Sequence, residues 1–187
     1  MRTRDPEAKR RALLEAALAE FAETGVAGAR VDAIAKRAGI SAGLIYSFYE
    51  HKDGLFEAVF DLIVEQTVSA VPIDAEDLGE YAGRLYDAAV AHPQVTRFIT
   101  WYELERGQNA GARASTAAAM REKQDAIAEA QRRGILSDRY TAGQLLALTL
   151  TLANMWSRNN EDVRDLVPAA ARRATVVDAV RRLTDPS

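Results

Sequence analysis

Apolar residues recur at three-to-four spacing along nearly the whole chain, and no useful run of the strict alternation that a half-buried strand needs appears. Ala12, Leu13, Ala16, Ala17, Leu18 and Phe21 form the first stripe. It predicts a helix over 6–23, with Pro6 where a missing N–H costs nothing and Thr24-Gly25 as the stop. Two short helices are expected next, over 31–38 and 42–48. Gly39 lies between them and Ser41 is suited to cap the second. Leu55, Phe56, Val59, Phe60, Leu62 and Ile63 predict a fourth helix that opens at Lys52 and fades near Val71-Pro72.

The pattern continues as helix with breaks. Asp74 is expected to cap a helix over 74–91, and Pro93 to start another that ends near Arg106-Gly107. An Ala-rich helix over 110–133 should stop at Gly134. Thr141-Ala142-Gly143-Gln144 reads as a capping box. It opens an apolar helix through Leu145, Leu146, Leu148, Leu150 and Leu152 to Trp156. A last helix over 166–183 carries Val176, Val177, Val180 and Leu183. No internal repeat appears, and no Gly- or Ser-rich linker separates independent domains.

The segment from Val31 to Tyr49 meets each requirement of two short helices crossing at a tight turn. Ala35 is small where the helices cross, and Gly39 sits where the turn needs a left-handed backbone. Ile34, Ala38, Ile40, Ile45 and Phe48 are placed on the inward faces, while Ala42, Gly43 and Leu44 face outward behind the Ser41 cap. This is a helix-turn-helix whose second helix is shaped for a major groove.

Charge neither demands nor forbids that partner. The 187 residues carry a net charge of −3, but residues 1–55 hold 9 Lys/Arg against 8 Asp/Glu, so a local basic patch is available. With no cysteine, disulfides, thiolate metal sites and cysteine nucleophiles are excluded, which fits a reducing compartment. No apolar run reaches membrane-spanning length and no secretory leader opens the sequence, so the expected location is the cytoplasm, with no membrane partner. His51 and His92 lie in no ligand spacing, and neither a phosphate-binding glycine loop nor HExxH occurs. Glu103 and Glu105 fall on different helix faces and read as surface charge. No enzyme, cofactor or metal is expected. An all-helical adaptor that binds protein instead of DNA is the other rival.

The residues from Ile34 to Leu55, IAKRAGISAGLIYSFYxxKxxL, resemble the signature of the tetracycline-repressor (TetR) family, in a setting that also matches: FAETG at Phe21–Gly25 before it and a helix starting at a lysine after it. The close resemblance covers about the first 60 residues; the remainder is similar only as a run of helices. It implies an all-α fold, with a three-helix DNA-binding domain over 1–51 and a larger helical bundle over 52–187 for ligand binding and dimerisation. It implies a sequence-specific transcriptional regulator, a repressor released from operator DNA by a small-molecule effector.

Position by position, the resemblance puts Ala42, Gly43 and Leu44 at base edges, and Tyr46, Ser47 and Lys52 on phosphates. Ser41 caps and touches a phosphate, Tyr49 reaches one through its hydroxyl, and Arg30 reaches backbone or base. Arg2, Arg4, Lys9 and Arg10 add contacts from a flexible arm. Three departures stand out: Ala42 and Leu44 replace residues able to bond base edges, Phe48-Tyr49 replaces a His/Tyr-Phe pair, and the usual threonine cap is absent near Ala29-Arg30, which predicts a frayed start to that helix. Two C-terminal helices from each subunit would form a homodimer, giving two recognition helices for a twofold-related site. Candidate effector contacts are Phe60, Tyr86, Phe98, Trp101, Tyr102, Met120, Gln124, Thr149 and Asn154. The same aromatic spacing also suits plain core, and Asn154, polar in an apolar helix, needs a partner if buried. The effector is expected to act through the fourth helix, changing the distance between the two recognition helices.

Overall fold

The computed structural model describes residues 6–106 and 114–186. Every regular element in them is a helix, and they divide into two compact units. The first joins the described residues up to Gln66 with Pro93–Arg106; the second joins Thr67–His92 with the described residues from Ala114 onward. The boundary expected after residue 51 thus falls inside the first unit.

The first unit contains α1 (Pro6–Gly28), α2 (Val31–Ala38), α3 (Ala42–Phe48), most of α4 (Lys52–Ala70) and α6 (Pro93–Arg106). The stripe on α1 buries Leu13, Ala17 and Phe21 completely, against Ile34 of α2, Ile45 of α3, Leu55, Phe56 and Val59 of α4 and Phe98 of α6. Phe56 is the hub. Phe21 meets it edge-on at 5.1 Å, Phe98 lies 4.7 Å away, and Tyr102 stacks on it at 5.4 Å. The Tyr102 hydroxyl donates to Glu57 at 3.0 Å, and burial pushes its phenol above the ordinary value.

The second unit contains α5 (Leu78–Ala91), α7 (Ala114–Arg132), α8 (Ala142–Ala153), the short α9 (Met155–Arg158) and α10 (Glu161–Asp165), and α11 (Ala169–Thr184). Its core gathers Tyr81, Leu85, Ile127, Leu145, Leu146, Trp156, Val176 and Val180. α5 and α11 lie unusually close because Gly79 and Gly83 face α11. A Cβ on Gly79 would come 2.6 Å from Arg181 Cγ and 2.9 Å from the Val177 carbonyl; one on Gly83 would come 2.9 Å from Val177 Cγ2. Arginines of α11 close the seam on acids of α5: Arg173 on Glu80 and Asp87, Arg181 on Asp77.

The N-cap of α5 is Asp77, whose side chain accepts from the Glu80 amide at 2.9 Å, and not the expected Asp74. Asp74 instead accepts the amides of Glu76 and Asp77, ordering the turn before the cap. The expected capping box at Thr141–Gln144 is present. The helix it opens ends at Ala153, short of Trp156, because Asn154 donates its side-chain amide to the Leu150 carbonyl at 2.9 Å and turns the chain. The expected start of α7 at 110 lies outside the described residues.

The Arg181 guanidinium holds the Asp77 carboxyl below its ordinary value. A carboxyl lowered on folding stabilises the native state above its unfolded value and ceases to do so as pH falls through the native one. The wild type should therefore melt higher than Asp77→Asn at pH 7, and thermal scans should show the gap narrowing below about pH 4. A gap independent of pH would show that the ion pair carries none of it.

Candidate DNA-binding surface

The helix-turn-helix is held from three sides. Behind it, Ile34 and Ala35 of α2 sink into the core of the first unit. At the turn, Gly39 takes the left-handed conformation at φ 67°, and the Ile40 amide returns to the Ala35 carbonyl at 3.0 Å. Ser41 then caps α3, accepting from the Leu44 amide at 3.3 Å. Within α3 only Ile45 is buried. Ala42 and Leu44 are half-buried; Gly43, Tyr46, Ser47 and Phe48 are exposed. A seven-residue helix anchored by one isoleucine offers nearly all of its remaining surface to a partner.

Phe48 departs from expectation. Placed on the inward face by its spacing, it is 42% exposed, and the neighbouring Tyr49 packs against the core instead. The Tyr49 hydroxyl accepts from Arg10 Nε at 3.3 Å, joining the first turns of α1 to the end of α3. Lys9 and Arg10 belong to α1, not to a flexible arm; Arg2 and Arg4 lie outside the described residues. Tyr46 is 53% exposed. Ser47 donates its hydroxyl to the Leu44 carbonyl at 2.7 Å, so it must rotate before it can donate to a phosphate.

Lys52 is only half-buried, but its ammonium is engaged. It donates to the carbonyls of Ala27 at 3.3 Å and Ala29 at 3.0 Å, satisfying chain ends that no helix serves. One of its three donors remains for a phosphate.

The start of α2 shows how the missing threonine is replaced. Arg30 occupies the N-cap with no side-chain cap bond, and its side chain is exposed. Its amide is received by Glu20 of α1 at 3.2 Å, and Glu20 is 8% exposed with Arg37 at 3.9 Å. Glu20 was not among the candidates. Its signal was its place three and four residues beyond Ala17 and Ala16, on the buried face of α1.

The nine candidate effector contacts are not gathered in one place. Phe60, Phe98 and Tyr102 belong to the aromatic cluster of the first unit, with Phe60 stacked on Tyr102 at 4.0 Å. Trp101 is there too, against Gly25. Tyr86 and Met120 are half-buried against the second core, and Thr149 is 1% exposed within the second unit. Gln124 is exposed beside Gly143. Asn154 finds its partner in its own helix. Glu105, read as surface charge, accepts the Val26 amide at 2.8 Å. Among the described residues no group of acidic or histidine side chains is arranged to hold a metal, and no helix is long and apolar enough to cross a membrane.

Known proteins share this arrangement along the full length. The profile of "Bacterial regulatory proteins, tetR family" matches residues 13–59, and that of "Tetracyclin repressor-like, C-terminal domain" matches residues 77–182. The chain belongs to the TetR family. It is a DNA-binding transcriptional regulator. The HTH-type transcriptional repressor SCO4008 of Streptomyces coelicolor is 34% identical, covering 92% of this chain and 98% of its own length. The crystal structure of the putative transcriptional regulator SCO4942, also from Streptomyces coelicolor, superposes with a TM-score of 0.85 at 32% identity, over 96% of this chain and 99% of that one. The HTH-type transcriptional regulator BetI of Cronobacter sakazakii is 40% identical over 63 residues, 34% of this chain and 31% of its own. TetR-family regulators bind operator DNA and are typically dimers with small-molecule effectors.

Proposed function

We propose that this TetR-family chain is a repressor that binds its operator as a homodimer, with α3 of each subunit in the major groove, and is released by a small-molecule effector. The observation that carries this reading is the exposure of α3 around its single anchor, Ile45. The name of SCO4008, which the chain matches over nearly its whole length, supports repression. No step of this function calls for catalysis.

Ala42, Gly43 and Leu44 meet the base edges. None has a side chain that hydrogen-bonds a base, so reading rests on contacts to thymine methyls, on Arg30 and on the shape of the groove. Tyr46, Ser47, Tyr49 with Arg10, and the remaining donor of Lys52 hold phosphates, while Ser41 keeps the end of α3 presented. Dimerisation uses α8 and α11, where Ala147, Thr151, Ala171 and Ala174 are exposed small side chains that let helices approach. The effector acts through α4, one continuous helix from Lys52 to Ala70, by changing the spacing of the two recognition helices.

Gly43 gives a clean test. A Cβ there meets nothing within 4 Å in the protein, and alanine stabilises a helix by about 0.5–1 kcal/mol relative to glycine. Gly43→Ala should therefore melt at or above the wild-type temperature, yet lose operator affinity by about tenfold or more, because the methyl group occupies space the DNA needs. Gel shifts on fragments selected from the source genome measure this. Wild-type affinity should also fall steeply between 50 and 200 mM salt. Salt-independent binding, or an unchanged affinity for Gly43→Ala, removes α3 from the groove.

A further inference from the structure

Within the second unit a lysine is buried where no acid meets it. Lys123 of α7 is 6% exposed, and its Nζ donates to the hydroxyl of Tyr81, itself fully buried on α5, at 2.8 Å. Among the described residues no carboxylate pairs with it. Nor does the tyrosine ring compensate the charge. The Nζ stands 5.5 Å from the ring centroid, about what a hydrogen bond beyond the hydroxyl dictates, so it lies past the ring edge and not over its face.

Donors outnumber acceptors along this line. The ammonium has three N–H groups and spends one. The Tyr81 hydroxyl receives that bond, and its own proton meets no acceptor among the described residues. Thr116 lies two helical turns before Lys123 on the same face of α7, about 10 Å along the axis, and its buried hydroxyl has no partner among the described residues. Met120 stands between them, half-buried and apolar. Burying an ammonium without an anion costs several kcal/mol, and buried polar groups are otherwise almost always paired.

We infer that Lys123 and Tyr81 are the recognition pair for the effector, and that the effector is a small organic acid. Its anionic, acceptor-only head group takes the unspent donors of Lys123 and Tyr81, and its apolar body runs along Met120 towards Thr116. An anion accepts every donor on offer and neutralises the buried charge; a cation or a neutral donor does neither. This rests on the regulator reading above, whose own test, operator binding by the unliganded wild type, is independent of it.

Calorimetric titration of the full chain with butanoate, octanoate, dodecanoate and benzoate, each beside its primary amide, and with octyltrimethylammonium, decides the matter. At least one carboxylate should bind at least tenfold tighter than its amide and tighter than the cation. Lys123→Met should lose about 10- to 100-fold of that affinity, and Tyr81→Phe a smaller part. Without ligand, Lys123→Met should melt at or above the wild-type temperature, since an apolar isostere removes an unpaired buried charge. Carboxylates that bind no better than their amides, a preference for the cation, undiminished binding to Lys123→Met, or an unfolded or markedly less stable Lys123→Met overturns the inference. The last would make Lys123 a structural tie. Operator binding that fails while carboxylate binding holds would sink the regulator reading alone.

Discussion

Phe56→Ala should destabilise the first unit by about 3–5 kcal/mol, the usual range for truncating a fully buried phenylalanine. Phe56 is 0% exposed, and its ring meets Phe21 of α1 and both Phe98 and Tyr102 of α6. Arg106 also lies over it at 5.3 Å. Removing it opens a cavity bounded by two other helices, which cannot both collapse into it. With total stabilities of 5–15 kcal/mol, such a loss is a large fraction of the whole. Urea denaturation should show the midpoint falling by on the order of 1 M or more. Because the chain has two compact units, the fall should appear as an early transition of the first while the second persists. Phe60→Ala is the control: Phe60 is half-buried where Phe56 is fully buried, so its loss should be distinctly smaller. A Phe56→Ala cost below about 1 kcal/mol would mean that the aromatic cluster is loosely packed and able to accommodate a ligand beside Phe98 and Tyr102.

How far the sequence could be read follows from the range of the forces involved. The limits of α2 and α3 match the expected 31–38 and 42–48 residue for residue, because the turn, the Ser41 cap and the anchors Ile34 and Ile45 are all local. The helix from Ala142 was expected to continue to Trp156. Its leucines cover more than one stripe and so carry no signal of an interruption, while the break at Asn154 depends on one side chain competing for a backbone carbonyl. Phe48 shows the limit of periodicity in a helix of two turns. Spacing from Ile45 admits either Phe48 or Tyr49 to the core, and the choice falls to Arg10, 39 residues away, which donates to the Tyr49 hydroxyl at the surface. Lys123 was invisible for a similar reason. Between Glu122 and Gln124 it reads as solvated charge, and only its register with Met120 and Ile127 puts it inside. The candidate effector residues are aromatic or polar side chains on apolar helices, and residue type alone does not say which of the two units a side chain enters.

The kink at Gly25, inside α1, leads to the second large effect. Gly25 has φ 67° and ψ −178°, a region essentially closed to other residues and costing about 1–3 kcal/mol when forced. A Cβ would also stand 2.8 Å from Glu105 Oε1 and 2.9 Å from Trp101 Cε3. That carboxylate oxygen is the acceptor of the Val26 amide at 2.8 Å, so the methyl group displaces the contact that fixes the chain just past the kink in α1. Adding about 1 kcal/mol or more for that bond, Gly25→Ala should cost about 2–4 kcal/mol in a chemical or thermal melt. The effect should reach DNA binding as well, at a temperature where the variant is still folded. The Gly25 carbonyl accepts the Ala29 amide at 3.2 Å, and Lys52 and Glu20 grip the next turns, so a shift at Gly25 moves the start of α2 and with it the attitude of α3. Glu105→Gln keeps an acceptor for Val26 and should stay near wild type in both assays; Glu105→Ala removes it and should show part of both losses. If Gly25→Ala melts within about a degree of the wild type, the kink in α1 is not held by this contact. If it melts low but binds operator normally once folded, the kink bears on stability alone and the orientation of α3 is set elsewhere, by Ile34 and Ile45 in the core.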